Sequence, residues 1–246
     1  MKFSVGIGTD VGKKRSQNQD SSASHPDLGL FIVSDGMGGH QGGEIASALA
    51  VETISNCIRD IVKKENWEPA QAISEAIRAA NLVIYEKSQA EPKLNGMGTT
   101  TTALLFKDSR LTIGHVGDSR CYYLRKNAVW QATRDHSLVQ EKLRAGLITR
   151  SQLKTDRMKN VITRSVGFQP KIDVEIYQMN VLPQDSFLLC SDGLSGLVEE
   201  AEIVEITNRD IYESQNLQKA VDDLIAAANA NGGSDNITSI LVQVTD

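Results

Sequence analysis

LFIVSDGMGGHQGGE, residues 30–44, compresses a strand, a turn and the start of a helix into one short stretch. Leu30 to Val33 is a continuous apolar run, the pattern of a strand buried on both faces. The run is expected to break at Asp35-Gly36. Five glycines follow between positions 36 and 43, with Asp35, His40 and Glu44 among them. Such a turn brings backbone and carboxylate oxygens to one point. Asp-Gly is also a common hairpin pair, and taken alone the stretch fits a plain turn equally well. The pattern recurs, however, and the recurrence separates the two readings.

Val116-Gly117-Asp118-Ser119 and Cys190-Ser191-Asp192-Gly193 repeat the arrangement of an apolar strand ending in an aspartate between small residues. Asp235-Asn236 is the converse case, opening a strand after Gly232-Gly233. Strand ends on one edge of a sheet converge, so these acids are expected to share a pocket. Crowded carboxylates repel and raise one another's pKa, a conflict that divalent cations resolve. The donors offered are all oxygens, which favours a hard cation such as Mg²⁺ or Mn²⁺ over zinc.

Around these points the chain reads as alternating hairpins and amphipathic helices. Phe3, Val5 and Ile7 predict a first strand with one buried face. Arg15 to Asp20, RSQNQD, reads on its own as a solvated loop. A helix is expected from Gly43 to about Lys64, with Ile45, Leu49, Cys57, Ile58, Ile61 and Val62 as its stripe. A second begins near Pro69, with Ile73, Ala76, Ile77, Ala80 and Ile84 on one face. Thr99 to Phe106, Leu111 to Val116, Cys121 to Arg125 and Ala128 to Gln131 follow as hairpin strands, which implies antiparallel sheet and an α+β class. Residues 135–167 read as helical and basic, with Gly146 as a helix C-cap. A flap is one reading of this insertion (within 137–167); a solvated charged face is the commoner one. Ile172, Val174 and Ile176 predict a further strand, Phe187 to Cys190 another. Helices near 202–207 and 217–229 precede the last strand, Ile237 to Val244. With no repeat and no linker, residues 1–246 read as a single domain.

Composition excludes several classes. The chain has 246 residues, is 40% hydrophobic and 23% charged, and carries a net charge of −5. That balance argues against a nucleic-acid groove or an anionic membrane surface as partner. No apolar run approaches the roughly 18 residues of a membrane span, and MKFSVGIGTD lacks a signal peptide's apolar region, so a cytoplasmic protein is expected. Thr9-Asp10-Val11-Gly12-Lys13 resembles a phosphate loop only superficially: Ile7 and Lys14 stand where glycine and Ser or Thr are needed, and Val11 spoils the dinucleotide pattern. Cys57, Cys121 and Cys190 have no metal-binding spacing and are expected to be buried free thiols. Six residues after them stand Lys63, Asn127 and Gly196, so none opens a Cys-x5-Arg phosphatase motif.

RSQNQD, FIVSDGMGGHQGGE, GMGTT, HVGDSR, TRDHS, LLCSDGL and GGSDNIT, in that order, resemble the successive motifs of the metal-dependent protein phosphatases of type 2C, in their compact bacterial form. The resemblance spans about Thr9 to Val244. It implies an α-β-β-α four-layer sandwich, two antiparallel sheets flanked by helices, with metals in a cleft at one end. It implies a hydrolase that removes phosphate from phosphoserine and phosphothreonine in proteins, opposing serine/threonine kinases in signalling; separately, a monomer is expected. Two core ions, Mn²⁺ or Mg²⁺, and a weaker third are implied. Asp35 would bridge the core pair and the Gly36 carbonyl would complete one ion. Asp192 and Asp235 would hold the other, and Asp20 would act on the first through water. Asp118 with Asp192 matches the third site, and Arg15 the phosphate-binding arginine. Two cations about 4 Å apart can share one water and yield a bridging hydroxide at neutral pH, which attacks phosphorus directly. His40 would protonate the departing oxygen or orient a water. Two alternatives share these residues: a phosphatase of a small phosphorylated metabolite, and a non-catalytic regulatory module. The full ligand set argues against the second.

Overall fold

The computed structural model of the chain describes residues 1–39, 42–153 and 155–245. Strands β1 (Phe3–Asp10), β11 (Ile237–Val244), β10 (Ser186–Cys190), β7 (Arg120–Arg125) and β8 (Ala128–Gln131) form one antiparallel sheet in that order. The other sheet runs β2 (Asp20–His25), β3 (Leu30–Met37), β5 (Thr101–Lys107), β6 (Arg110–Val116) and β9 (Glu175–Asn180), also antiparallel, with the short β4 (Gly98–Thr99) against the end of β3. The two sheets face each other across Phe31, Val33, Leu104, Ile113, Phe187, Leu189 and Ile240, all fully buried. Helices α1 (Gly42–Ile61) and α2 (Pro69–Ala90) cover the second sheet, while α5 (Glu200–Thr207) and α6 (Leu217–Ala230) cover the first. This is the four-layer sandwich.

The apolar runs are continuous because the central strands have a core on each side. In β3, Phe31 and Val33 face the other sheet while Leu30 and Ile32 face α1 and α2. In β10, Phe187 and Leu189 point inward while Leu188 and Cys190 meet the outer helices. Burying one such aliphatic side chain contributes about 1.5–3 kcal/mol, so these strands are firmly placed.

Several expectations need correction. Strand β3 does not break at Asp35-Gly36: it runs on to Met37, because Gly36 and Met37 find backbone partners in Thr99 and Gly98. Strand β2, DSSASH, has no apolar alternation by which to be read; it forms because it lies along β3. Ile7 is 38% exposed, since β1 is an edge strand with one neighbour. The buried face of α1 is Ala46, Ala50, Ile54 and Ile58, its two alanines letting the helix sit close; of the expected stripe only Ile58 is fully buried, and the rest are partly buried at its margins. The stripe on α2 is as expected. Strand β9 begins at Glu175, so Ile172 and Val174 precede it, packed against the α1/α2 core as loop residues. Cys121 and Cys190 are buried free thiols, but Cys57 is only half-buried. No helix among the described residues is long and apolar enough to cross a membrane.

Candidate metal centre

All five aspartates singled out by the motifs stand around one cleft at the end of the sandwich. Asp35 lies on β3 directly opposite Asp20 at the head of β2. Asp118 follows β6 in the turn Gly117–Ser119, Asp192 opens the short helix α4 (Asp192–Ser195) after β10, and Asp235 precedes β11. The threonine-rich stretch holds Asp35 in place. Its carbonyl accepts from the Thr100 amide and the Thr99 hydroxyl, both at 2.8 Å, and its amide donates to Thr100 Oγ1 at 2.9 Å. Thr100 Oγ1 in turn lies 2.7 Å from Ser119 Oγ beside Asp118. Gly36 is required by close approach: a Cβ there would sit 2.0 Å from the Gly43 carbonyl oxygen at the start of α1.

Ser191 Oγ donates to Asp20 Oδ2 at 2.8 Å, linking the two strand ends. Asn236 does the same for the Arg15 loop: its Oδ1 accepts from the Gln19 amide, and its Nδ2 donates to the Val11 and Gln17 carbonyls. Arg15 is exposed and donates from Nη2 to Asp235 Oδ2 at 2.7 Å. The structure thus places the expected phosphate-binding arginine at the rim, one hydrogen bond from an expected metal ligand. His40 lies outside the described residues.

The electrostatics follow from the crowding. Burial, then Asp20, Asp192, Asp118 and Asp235, hold the Asp35 carboxyl well above the usual range. Burial and then Asp192 push Asp118 up to about 8, and burial pushes Asp20 up to about 6. Asp192 is raised by burial and by Asp235. Asp20 Oδ1 and Asp118 Oδ1 are buried with no hydrogen-bond partner. An unpartnered buried carboxylate oxygen is costly, and a cation is the partner that suits it. Among the described residues no three acid, His or Cys side chains close into a ready cage. The residues present nonetheless fit hard divalent cations, with Asp35, the Gly36 carbonyl, Asp192, Asp235 and Asp20 as candidate holders of the core pair and Asp118 with Asp192 as candidates for a third.

Residues 7–242 match the family model described as Protein phosphatase 2C. The chain belongs to the protein phosphatase 2C family. It is 36% identical over 239 residues to a Listeria monocytogenes protein named serine/threonine phosphatase stp, covering 96% of this chain and 93% of that one. The Mycobacterium tuberculosis serine/threonine phosphatase PstP/Ppp superposes with a TM-score of 0.91 at 31% identity, over 100% of both chains. A structure of the PstP catalytic domain in complex with two manganese ions superposes at 0.87, with 32% identity over 99% of both chains.

In this family member the motifs hold more than the candidate metal ligands. Arg120 forks onto both Asp135 oxygens, through Nε at 3.0 and 3.2 Å and Nη2 at 2.7 Å, and Gln131 adds a bond of 2.7 Å to the same carboxylate. The motifs HVGDSR and TRDHS contain this pair, but two motifs far apart in sequence do not reveal that they meet. Beside it a cavity of about 960 Å³ runs from Asp118 and Asp192 out to Trp130, Arg144, Arg150 and Lys159.

The outer wall of that cavity is the basic insertion, and it is less helical than expected. Among its described residues only α3 (Leu138–Arg144) is an α-helix; Ala145 caps it and Gly146 follows at φ +70°, as its C-cap role requires. The remainder is turns and one 3₁₀ turn at 150–152. The segment closes on itself: Leu138 donates to the Val161 carbonyl and Thr163 to that of His136, both at 2.8 Å. Its far end is tied to the acidic cleft, because Val166 and Thr99 exchange backbone hydrogen bonds at 2.8 and 2.9 Å. Lys142 pairs with Asp156 and Arg164 with Glu175. Arg144, Arg150 and Lys159 have no carboxylate partner among the described residues.

Proposed function

We propose that the acidic cleft holds two divalent cations, Mn²⁺ or Mg²⁺, and a weaker third, and that it hydrolyses phosphoserine and phosphothreonine on proteins modified by a serine/threonine kinase. As a member of its family the chain is a metal-dependent serine/threonine protein phosphatase. The observation that carries the reading is the convergence of Asp20, Asp35, Asp118, Asp192 and Asp235, each interacting with others of the set through its charge.

Bound cations supply acidified water and charge screening for a phosphoryl group. The chain's own residues do the rest. The Asp35 backbone is fixed by three hydrogen bonds with Thr99 and Thr100, which sets where its carboxylate projects. The Arg15 guanidinium, half-exposed at the rim, offers a planar fork to phosphoryl oxygens. Water attacks phosphorus, the bond to the serine or threonine oxygen breaks, and that oxygen takes a proton. His40 is the candidate donor on sequence grounds. The basic insertion acts as a flap that favours protein substrates over small phosphorylated metabolites, since its unpaired Arg144, Arg150 and Lys159 face the same cavity as the acids. Action as a cytoplasmic monomer belongs to this proposal.

The test is phosphate release from phosphoserine, phosphothreonine and phosphotyrosine peptides and small monoesters, with Mn²⁺, with Mg²⁺ and in excess EDTA. Metal-dependent release from the first two peptides is expected. Full activity after confirmed metal removal overturns the mechanism, and a marked preference for small monoesters overturns the protein substrate.

A further inference from the structure

We infer that His136 is a positioning residue that sets the Gly117–Asp118 turn and couples it to the base of the flap. Gly117 is gripped twice by this one residue, which lies 19 positions further along the chain. Its amide donates to His136 Nδ1 at 3.0 Å, and its carbonyl accepts from the His136 amide at 2.8 Å. Gly117 itself adopts φ +108°, and a Cβ there would meet Thr100 at 2.6 Å, so the turn is tightly constrained. The His136 carbonyl then accepts from Thr163, and Ser137 bridges to Ile162, so both arms of the flap leave from the same point.

The ring is 2% exposed and its tautomer is set by these contacts. Nδ1 accepts, so the proton sits on Nε2, which lies 3.3 Å from Glu175 Oε1 without hydrogen-bond geometry. Glu175 is itself held by the Tyr177 hydroxyl and lies 3.8 Å from the flap's Arg164. On the other side of the turn, Thr102 Oγ1 lies 3.0 Å from the Ser119 carbonyl and 2.9 Å from His115 Nδ1, and His115 Nε2 donates to the Arg134 carbonyl. The two imidazoles lie 4.9 Å apart. Asp118 therefore projects from a turn fixed on one flank by His136 and on the other by Thr102 and Ser119. No displacement of His136 leaves both that turn and the flap base unchanged.

The inference rests on the phosphatase reading only through the role of Asp118, and the Gly117 amide reports on it independently. Two polar replacements separate positioning from bulk. His136→Asn keeps an acceptor at the branch where Nδ1 stands, whereas His136→Gln carries its polar atoms one carbon further out. In His136→Gln, amide exchange at Gly117 should quicken by roughly tenfold or more, the range expected for loss of one buried hydrogen bond. Its weakest Mn²⁺-binding step, measured by calorimetry with Mn²⁺ alone, should weaken as it does in Asp118→Ala. Its kcat on a phosphopeptide should fall by about tenfold with KM little changed. His136→Asn should stay within about threefold of wild type in all three measurements. In an Asp118→Ala background, His136→Gln should leave Mn²⁺ binding as that background has it. Equal behaviour of the Asn and Gln variants overturns the inference, as does wild-type Gly117 protection in His136→Gln. If the protein releases no phosphate at all, the phosphatase reading fails while Gly117 exchange still decides this one.

Discussion

The acidic cleft, proposed as the metal centre, and the basic segment proposed as a flap are adjacent in space and opposite in construction. Asp35, Asp118 and Asp192 project from strand ends whose neighbours are fully buried, and each is flanked by hydroxyl or backbone hydrogen bonds. The flap has one two-turn helix, a single buried apolar residue on it, and exposed Leu147, Met158 and Val161. Charge at the centre is concentrated and self-repelling; charge on the flap is dispersed and partly unpaired. Chemistry needs groups held to fractions of an ångström, so it sits where packing leaves no freedom. Selection of partners tolerates looser geometry, and the proposed selecting role falls where few contacts restrain the chain.

The largest test of this contrast lies at its rigid pole. Asp35→Asn should lower kcat by on the order of 10³ or more, because it removes charge from the carboxylate central to the cluster. Melting temperature in EDTA should not fall, since a buried repulsion is also relieved; a folded variant with near wild-type turnover would remove Asp35 from the centre. Next, Asp118→Ala should cost about 10²–10³ in kcat while two Mn²⁺ ions still bind, as counted by calorimetry. Loss of all Mn²⁺ binding would place Asp118 in the core site, and an unchanged rate would make the third site irrelevant.

At the looser pole, the combined Arg144→Gln, Arg150→Gln and Lys159→Gln variant should raise KM for phosphopeptides by roughly tenfold, at about 0.5 kcal/mol per exposed charge. Hydrolysis of an aryl phosphate should be nearly unaffected. An equal change on both substrates would make the segment structural and erase the functional contrast.

The smallest effect on activity is expected where the two regions join. Burial, with His136 beside it, pushes His115 down to about 4 from its ordinary 6.5. Below pH 6.5 the unfolded chain gains a proton there that the folded chain refuses until about pH 4. Stability is therefore lost as pH falls through that window, by at most about 2 kcal/mol at pH 5. The raised cleft carboxylates act in the opposite sense, so the comparison is with His115→Gln, which cannot titrate. Urea unfolding at pH 7.5 and pH 5 should show wild type losing more stability than the variant on acidification; an identical loss in both would show that His115 does not carry this term.

Much of this architecture is legible in the linear chain. Leu30 to Val33 and Phe187 to Cys190 are apolar at every position, and only a strand with a core on both faces uses such a run. Asp35, Asp118, Asp192 and Asp235 announce themselves because each stands beside small residues at the edge of an apolar strand, whereas Asp20, in the polar RSQNQD, was legible only through the family resemblance. Other features exist only as contacts. Strand β2 has no pattern of its own and is a strand because β3 offers it backbone partners. The run of β3 through Gly36, the face of α1 and the irregular course of the flap were likewise settled by neighbours, since tertiary hydrogen bonds and close packing outweigh local propensity. Arg120 with Asp135, and His136 with Gly117, are 15 and 19 residues apart in motifs with no shared local signal. Residue types and their order determined what chemistry this protein can carry. Only the meeting of two sheets decided which aspartates share a cleft, because proximity between strand ends depends on sheet order and register.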